Sequence, residues 1–128
     1  MTVACLDTNV LVRFLVNDHK DHHAQSEKIF SVAEQGKLII IVPALVVAET
    51  AFVLQSFYKQ SCADIAAVLE TFLSQRWFRV DERSLLLSTL AWYGQGTHFV
   101  DAYLRALAKE QKCGILTFDK KLAKESSA

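Results

Sequence analysis

Short, uniformly apolar runs alternate along the chain with longer segments whose apolar residues return every three or four positions. The runs at 2–6, 38–42, 77–80 and 115–118 are punctuated by Gly36, Pro43 and Gly114, which predicts short strands buried on both faces of a sheet. Val10, Leu11, Phe14 and Leu15 predict a helix over 9–16. Ile65, Val68, Leu69 and Phe72 predict an amphipathic one over 61–74, opened by Ser61 or Asp64. Further helices are expected over 24–35, ended by Gly36, and over 43–58, with Pro43 at the first position. Two more are expected over 82–92, closed by Gly94 and Gly96, and over 99–111, with Leu104, Leu107 and Ala108 inward. Residues 17–23 are polar and read as a loop, and a short basic helix follows Asp119. This alternation predicts a three-layer α/β/α sandwich around a central, mainly parallel sheet, with 1–128 as one domain.

Composition narrows the setting. With 52% hydrophobic residues, four Gly and one Pro in 128 residues, no linker or low-complexity segment stands out. Cys5, Cys62 and Cys113 are far apart and form no C-x-x-C pairing, as expected for free thiols in a reducing cytosol. Asp7 comes too early for a signal-peptide hydrophobic region. The longest apolar run, 38–48, is too short to span a bilayer, so a cytoplasmic protein without a membrane partner is the expectation. The formal net charge is zero, so the basic excess common in nucleic-acid binders is absent from the chain as a whole. Locally, Arg105, Lys109, Lys112, Lys120, Lys121 and Lys124 stand against Glu110, Asp119 and Glu125. Neutralising four acids elsewhere with metal ions would leave the remaining surface basic on balance.

Four acids carry the candidate chemistry. Asp7 follows the first predicted strand and Asp119 the last, at the carboxyl edge where open α/β sheets bind ligands. Asp101 falls in the first turn of its helix, and each of these three is also a favourable helix cap or dipole partner. Glu49 is not open to that explanation. It sits in mid-helix between Val46-Val47-Ala48 and Ala51-Phe52-Val53, and a lone carboxylate buried there must be paired, protonated or bound to a cation. Converging carboxylates need a cation to hold them, and an all-oxygen donor set selects Mg²⁺ or Mn²⁺. Such ions suit phosphodiester hydrolysis: one lowers the pKa of a bound water and a second stabilises the leaving oxygen. His19, His22 and His23 lie on the polar loop without Cys partners, where solvated imidazoles are commoner than a metal site. Trp77, Trp92 and Tyr93 can stack on bases, but their spacing suits the core. There is no G-x-S-x-G, no Gly-rich phosphate loop and no G-x-G-x-x-G.

Leu6-Asp7-Thr8-Asn9-Val10-Leu11, Glu49 in its apolar helix, Phe99-Val100-Asp101-Ala102 and Leu116-Thr117-Phe118-Asp119-Lys120 together resemble the PIN-domain nucleases, most closely the VapC-type toxins of prokaryotic toxin–antitoxin systems. The resemblance covers essentially the whole chain. It implies that Asp7, Glu49 and Asp101 form the catalytic, metal-binding core, with Asp119 as a fourth acid for a second ion and Thr8, Asn9 and Thr117 as supporting polar groups. Many members carry a further Asp where this chain has His98, which makes His98 a candidate for phosphate or second-metal contact. The resemblance also implies a Mg²⁺- or Mn²⁺-dependent endoribonuclease with one or two ions, usually homodimeric, acting on RNA such as tRNA or rRNA. Its partner would be a VapB-like antitoxin that blocks the acidic crevice, so that DNA is met only through the antitoxin. The same acids fit an RNA-processing nuclease without a toxin role, or a non-catalytic PIN-like binding module. A receiver-type phosphoacceptor would need an acidic pair after the first strand, which Cys5-Leu6-Asp7 does not offer.

Overall fold

The computed structural model describes residues 2–125, and only the backbone of Lys124 and Glu125, so the charges of those two lie outside the described residues. Strand β1 (Thr2–Cys5) pairs in parallel with β2 (Leu38–Ile41), from Thr2 opposite Leu38 to Cys5 opposite Ile41. Strand β3 (Phe78–Arg79) continues the sheet in parallel on the far side of β2. The ladder runs slightly past these bounds, with the Leu6 amide donating to Ile41 O and the Val42 amide to Arg79 O, both at 2.9 Å. Parallel strands need crossovers. Helices α1 (Thr8–Leu15) and α2 (Lys20–Glu34) make the first, and α3 (Ala44–Ser56) and α4 (Cys62–Leu73) the second. Helices α5 (Arg83–Gly94), α6 (Phe99–Gln111) and α7 (Lys120–Glu125) follow. The result is the expected parallel sheet flanked by helices, an α/β sandwich.

Local chemistry sets the helix starts. Asp7, in extended backbone, accepts the Thr8 amide at 2.8 Å and opens α1 as β1 ends. Pro43 occupies the N-cap of α3, and Ser61 Oγ caps α4 by accepting the Asp64 amide. The core that holds these elements includes Leu11, Leu54, Ile65, Leu69, Leu86 and Leu90, all fully buried; each such side chain contributes about 1.5–3 kcal/mol. Phe30, Phe72 and Phe78 pack edge-on or stacked, with Phe72 and Phe78 ring centroids 4.4 Å apart. Gly94 permits close approach of α5 to α4, since a Cβ there would stand 2.9 Å from Ala66 Cβ.

Four expectations are corrected. Residues 115–118 form no strand: the segment between α6 and α7 has irregular backbone, with Leu116 at 104% and Phe118 at 107% exposure. Propensity supplies only a tendency, and a strand exists when its backbone groups find a ladder. Here α6 closes on left-handed Lys112, and the chain reaches α7 without pairing to β1. Strand β1 is therefore an exposed edge rather than a buried strand, with Val3 47% exposed. Helix α2 begins at Lys20 rather than 24, because His19 Nδ1 accepts the His22 amide at 3.1 Å and caps it inside the polar segment. On α6 the buried residues are Ala102, Ala106 and Ala108, with Leu104 and Leu107 only partly covered, since small side chains let α6 lie close to its neighbours. No helix among the described residues is long and apolar enough to cross a membrane.

Candidate active site

The end of β1 delivers Asp7, and the middle of α3 delivers Glu49 into the same open cleft of ≈ 390 Å³. Asp7 uses Oδ1 as a helix cap, which leaves Oδ2 without a hydrogen bond among the described residues. Glu49 is exposed, so the expectation that it is buried is overturned. Helix α3 is apolar on more than the face that packs: Val47, Thr50, Ala51 and Leu54 are buried, whereas Leu45 and Phe52 are 82% and 67% exposed. Glu49 shares the outer stripe with Leu45 and Phe52 by helical spacing, so its apolar sequence neighbours do not surround it. Thr8 and Asn9 line the cleft as well. Thr8 is buried, and its Oγ1 has no hydrogen-bond partner. An orphaned buried hydroxyl beside two carboxylates is an open donor position for a ligand.

Asp101 and Asp119 meet in a second cleft of ≈ 290 Å³, with His98, Arg105 and Lys121 around them. Asp101 lies in the first turn of α6 and is partly buried. Asp119 Oδ1 accepts the amides of Lys121 at 2.9 Å and Leu122 at 3.1 Å, so this acid caps α7 much as Asp7 caps α1. Thr117 Oγ1 accepts the Asp119 amide at 3.0 Å and shapes the turn that carries the acid. His98 stands at the N-cap of α6, exposed and making no side-chain cap bond. The Arg105 guanidinium lies 3.7 Å from the Trp92 ring centroid and donates to Thr97 Oγ1 at 3.3 Å, so Trp92 orients a cation at this cleft. Trp77 packs on the core. Tyr93 is buried and donates to Gln55 Oε1, and burial pushes its hydroxyl pKa well above the ordinary value.

Asp7 and Glu49 thus line one cleft and Asp101 and Asp119 another, and among the described residues no three of His, Cys, Asp and Glu stand close enough to hold a metal ion. The donor chemistry of the Asp7–Glu49 cleft nonetheless fits a hard divalent cation: two carboxylates and an unpartnered hydroxyl offer oxygen alone. The histidines of the polar segment serve the scaffold. His19 caps α2 and stacks on His22 at 3.9 Å. His23 Nδ1 lies 3.0 Å from Arg13 O, with its Nε2 3.2 Å from Glu27 Oε1.

Three residues that sequence reasoning missed stand at the mouth of the Asp7–Glu49 cleft: Arg13, Phe57 and Tyr58. Asp18 ties two of them together, accepting the Tyr58 hydroxyl at 2.7 Å and Arg13 NH1 at 3.0 Å. The Tyr58 bond, helped by Arg13, holds the Asp18 carboxyl below its usual range, and the carboxylate raises the Tyr58 hydroxyl. The aromatic pair Phe57-Tyr58 closing an apolar helix was the available signal; the partner Asp18 is 40 positions away and carried none.

A family model described as "PIN domain" matches residues 4–125. The chain is 29% identical over 107 residues to a protein named "VapC ribonuclease" from Aquifex aeolicus (strain VF5), a match covering 82% of this chain and 78% of that protein. No solved structure matches the chain at comparable significance.

Proposed function

The chain belongs to the PIN domain family, and from that premise we propose that it is a Mg²⁺- or Mn²⁺-dependent endoribonuclease of VapC type, the toxin of a toxin–antitoxin pair. The observation that carries this reading is the meeting of Asp7, Glu49 and the orphaned Thr8 hydroxyl in one open cleft where β1 ends. The kinship with a protein named VapC ribonuclease supports the choice of RNA as substrate.

Asp7 Oδ2, a Glu49 oxygen and Thr8 Oγ1 would hold the ion, with Asn9 beside them. When bound, the ion supplies positive charge that acidifies a water and offsets charge on the scissile phosphate. The protein's own groups supply orientation. The Asp7 cap bond fixes one carboxylate at the strand end, and helix α3 fixes the other. Asp101 and Asp119 add a second acidic pair in the other cleft, where Thr117 sets the position of Asp119. There Arg105 and Lys121, with His98 at the rim, offer positive or proton-donating groups to flanking phosphates. Hydrolysis breaks one P–O bond by in-line attack of water and releases the leaving oxygen with a proton. Residues 1–128 act as one nuclease domain in the cytoplasm. As a protein of VapC type it would act as a homodimer. A VapB-like antitoxin would block the acidic clefts and provide the only link to DNA.

The test is cleavage of single-stranded RNA by protein purified free of host ribonuclease, with Mn²⁺ or with EDTA. Asp7→Asn and Glu49→Gln should each lower the rate by about a hundredfold or more, a loss of about 2.7 kcal/mol or more of metal-held stabilisation. Equal cleavage by Asp7→Asn sinks the reading. For the toxin role, expression should arrest growth and a co-expressed neighbouring frame should relieve it.

A further inference from the structure

We infer that the rim formed by Arg13, Phe57 and Tyr58 is a subsite for one nucleotide of single-stranded RNA beside the cleaved bond: Phe57 stacks the base and Arg13 takes the adjoining phosphate. The inference rests on the nuclease reading above and adds residues that reading does not use.

Electrostatics pose the problem that the rim solves. A cleft holding Asp7 and Glu49 repels a polyanion, and the phosphates on either side of the reacting one need positive charge. Among the described residues, Arg13 is the one cation lining this cleft. Its guanidinium gives one N–H to Asp18, at 3.0 Å, and a guanidinium carries five, so a fork remains for phosphate oxygens. The Asp18 carboxylate is itself held by the Tyr58 hydroxyl at 2.7 Å. Arg13 is therefore positioned in advance, and less side-chain entropy is lost when a phosphate arrives.

Phe57 supplies the second half. It closes α3 at its C-cap and is 74% exposed, so it does little for the core. Its ring meets Tyr58 edge to face, with centroids 5.0 Å apart at 71°, which fixes the ring plane while the exposure leaves ring surface open. Val12 and Val53 give the cleft an apolar lining, and its ≈ 390 Å³ falls within the range of small-ligand sites. An exposed aromatic plane next to a fixed cation and the reacting carboxylates is the combination that binds an unstacked base and its phosphate. Stacking of this kind tolerates any base, so the subsite selects single strands rather than a sequence.

The experiment uses the full chain and a fluorescein-labelled single-stranded RNA oligonucleotide, with binding read by anisotropy in EDTA and cleavage in Mn²⁺. Phe57→Ala should weaken binding about tenfold, and Phe57→Trp should restore it. Arg13→Gln should flatten the slope of log K against log salt by about 0.7, the signature of one lost phosphate contact on a single strand, whereas Arg13→Lys keeps the slope. Thermal melting separates these effects from misfolding: exposed Phe57 can be truncated without lowering the midpoint. Wild-type affinity in Phe57→Ala, while the wild type binds and cleaves, overturns the subsite and leaves the nuclease reading standing. A changed sedimentation coefficient for that variant with unchanged RNA affinity assigns Phe57 to a contact between copies and also overturns it. A wild type that neither binds nor cleaves the RNA overturns the nuclease reading, and this inference with it.

Discussion

Thr8→Val should make the metal-free protein more stable and the metal-bound protein relatively less so. Thr8 is 7% exposed and its hydroxyl has no partner; a buried hydroxyl left unsatisfied costs about 1–3 kcal/mol. Valine keeps the shape and has nearly the same helix propensity, so the variant should gain about 1–2 kcal/mol in EDTA. With an unfolding entropy of about 2.1 cal/mol/K per residue, that gain raises the midpoint of this chain by roughly 4–7 °C. Thr50→Val is the control: Thr50 is fully buried with an unpartnered hydroxyl, yet it does not line the cleft. Mn²⁺ at a hundred times its dissociation constant should stabilise the wild type and Thr50→Val by about 2.7 kcal/mol. Thr8→Val, lacking one donor, should gain less, so its advantage over the wild type shrinks or reverses. Scanning calorimetry with and without Mn²⁺ reads all four differences. A Thr8→Val protein that melts below the wild type in EDTA, or that gains as much from Mn²⁺, would refute the assignment of the hydroxyl to the metal.

Arg83 donates Nε to Leu73 O at 2.7 Å and NH2 to Gln75 O and Phe78 O at 3.2 and 2.6 Å, which ties the turn between α4 and β3 to α5. Arg83→Ala should cost about 2–4 kcal/mol by urea denaturation, since charged donors to carbonyls are worth more than neutral ones; a cost under half a kcal/mol on the order of surface substitutions would show the bonds to be idle. Leu116→Ser and Phe118→Ser should each shift stability by less than about 0.5 kcal/mol, as fully exposed side chains do, and a loss of several kcal/mol would restore the buried strand. The Asp18–Tyr58 bond should act over a defined pH window. Asp18 has a lowered folded pKa, so its contribution is present above the unfolded value of about 3.9 and is lost as pH falls through the lower folded one. Tyr58 has a raised folded pKa, so its contribution is full below about pH 10 and is lost as pH rises through the higher folded value. The stability difference between the wild type and Tyr58→Phe should therefore be constant between those limits and close beyond them; a difference that persists in strong alkali contradicts the bond.

Local order was legible in the chain because it is written in near neighbours. The start of α1 at Asp7, the breaks at Gly36 and Pro43, and the fall of Asp101 into a first turn follow from capping, backbone restriction and period. The same short-range signals identified the parallel α/β architecture and the ordered acids. They misplaced Glu49 because hydropathy along α3 does not say which of two apolar sides packs: Val47 and Leu54 met the core, whereas Leu45, Glu49 and Phe52 met water. They made 115–118 a strand because Leu116 and Phe118 have the residue types of one, while pairing to β1 is a property of two segments. The division of the acids between two clefts and the Arg13–Asp18–Tyr58 network likewise depend on contacts between residues far apart in the chain. By itself, then, the sequence determined most of the elements, their order and the residues capable of the chemistry, since those rest on backbone preferences over a few positions. Which of those residues meet, and which apolar faces remain open, was decided by tertiary packing, because burial and hydrogen bonding are properties of surfaces that only the folded chain brings together.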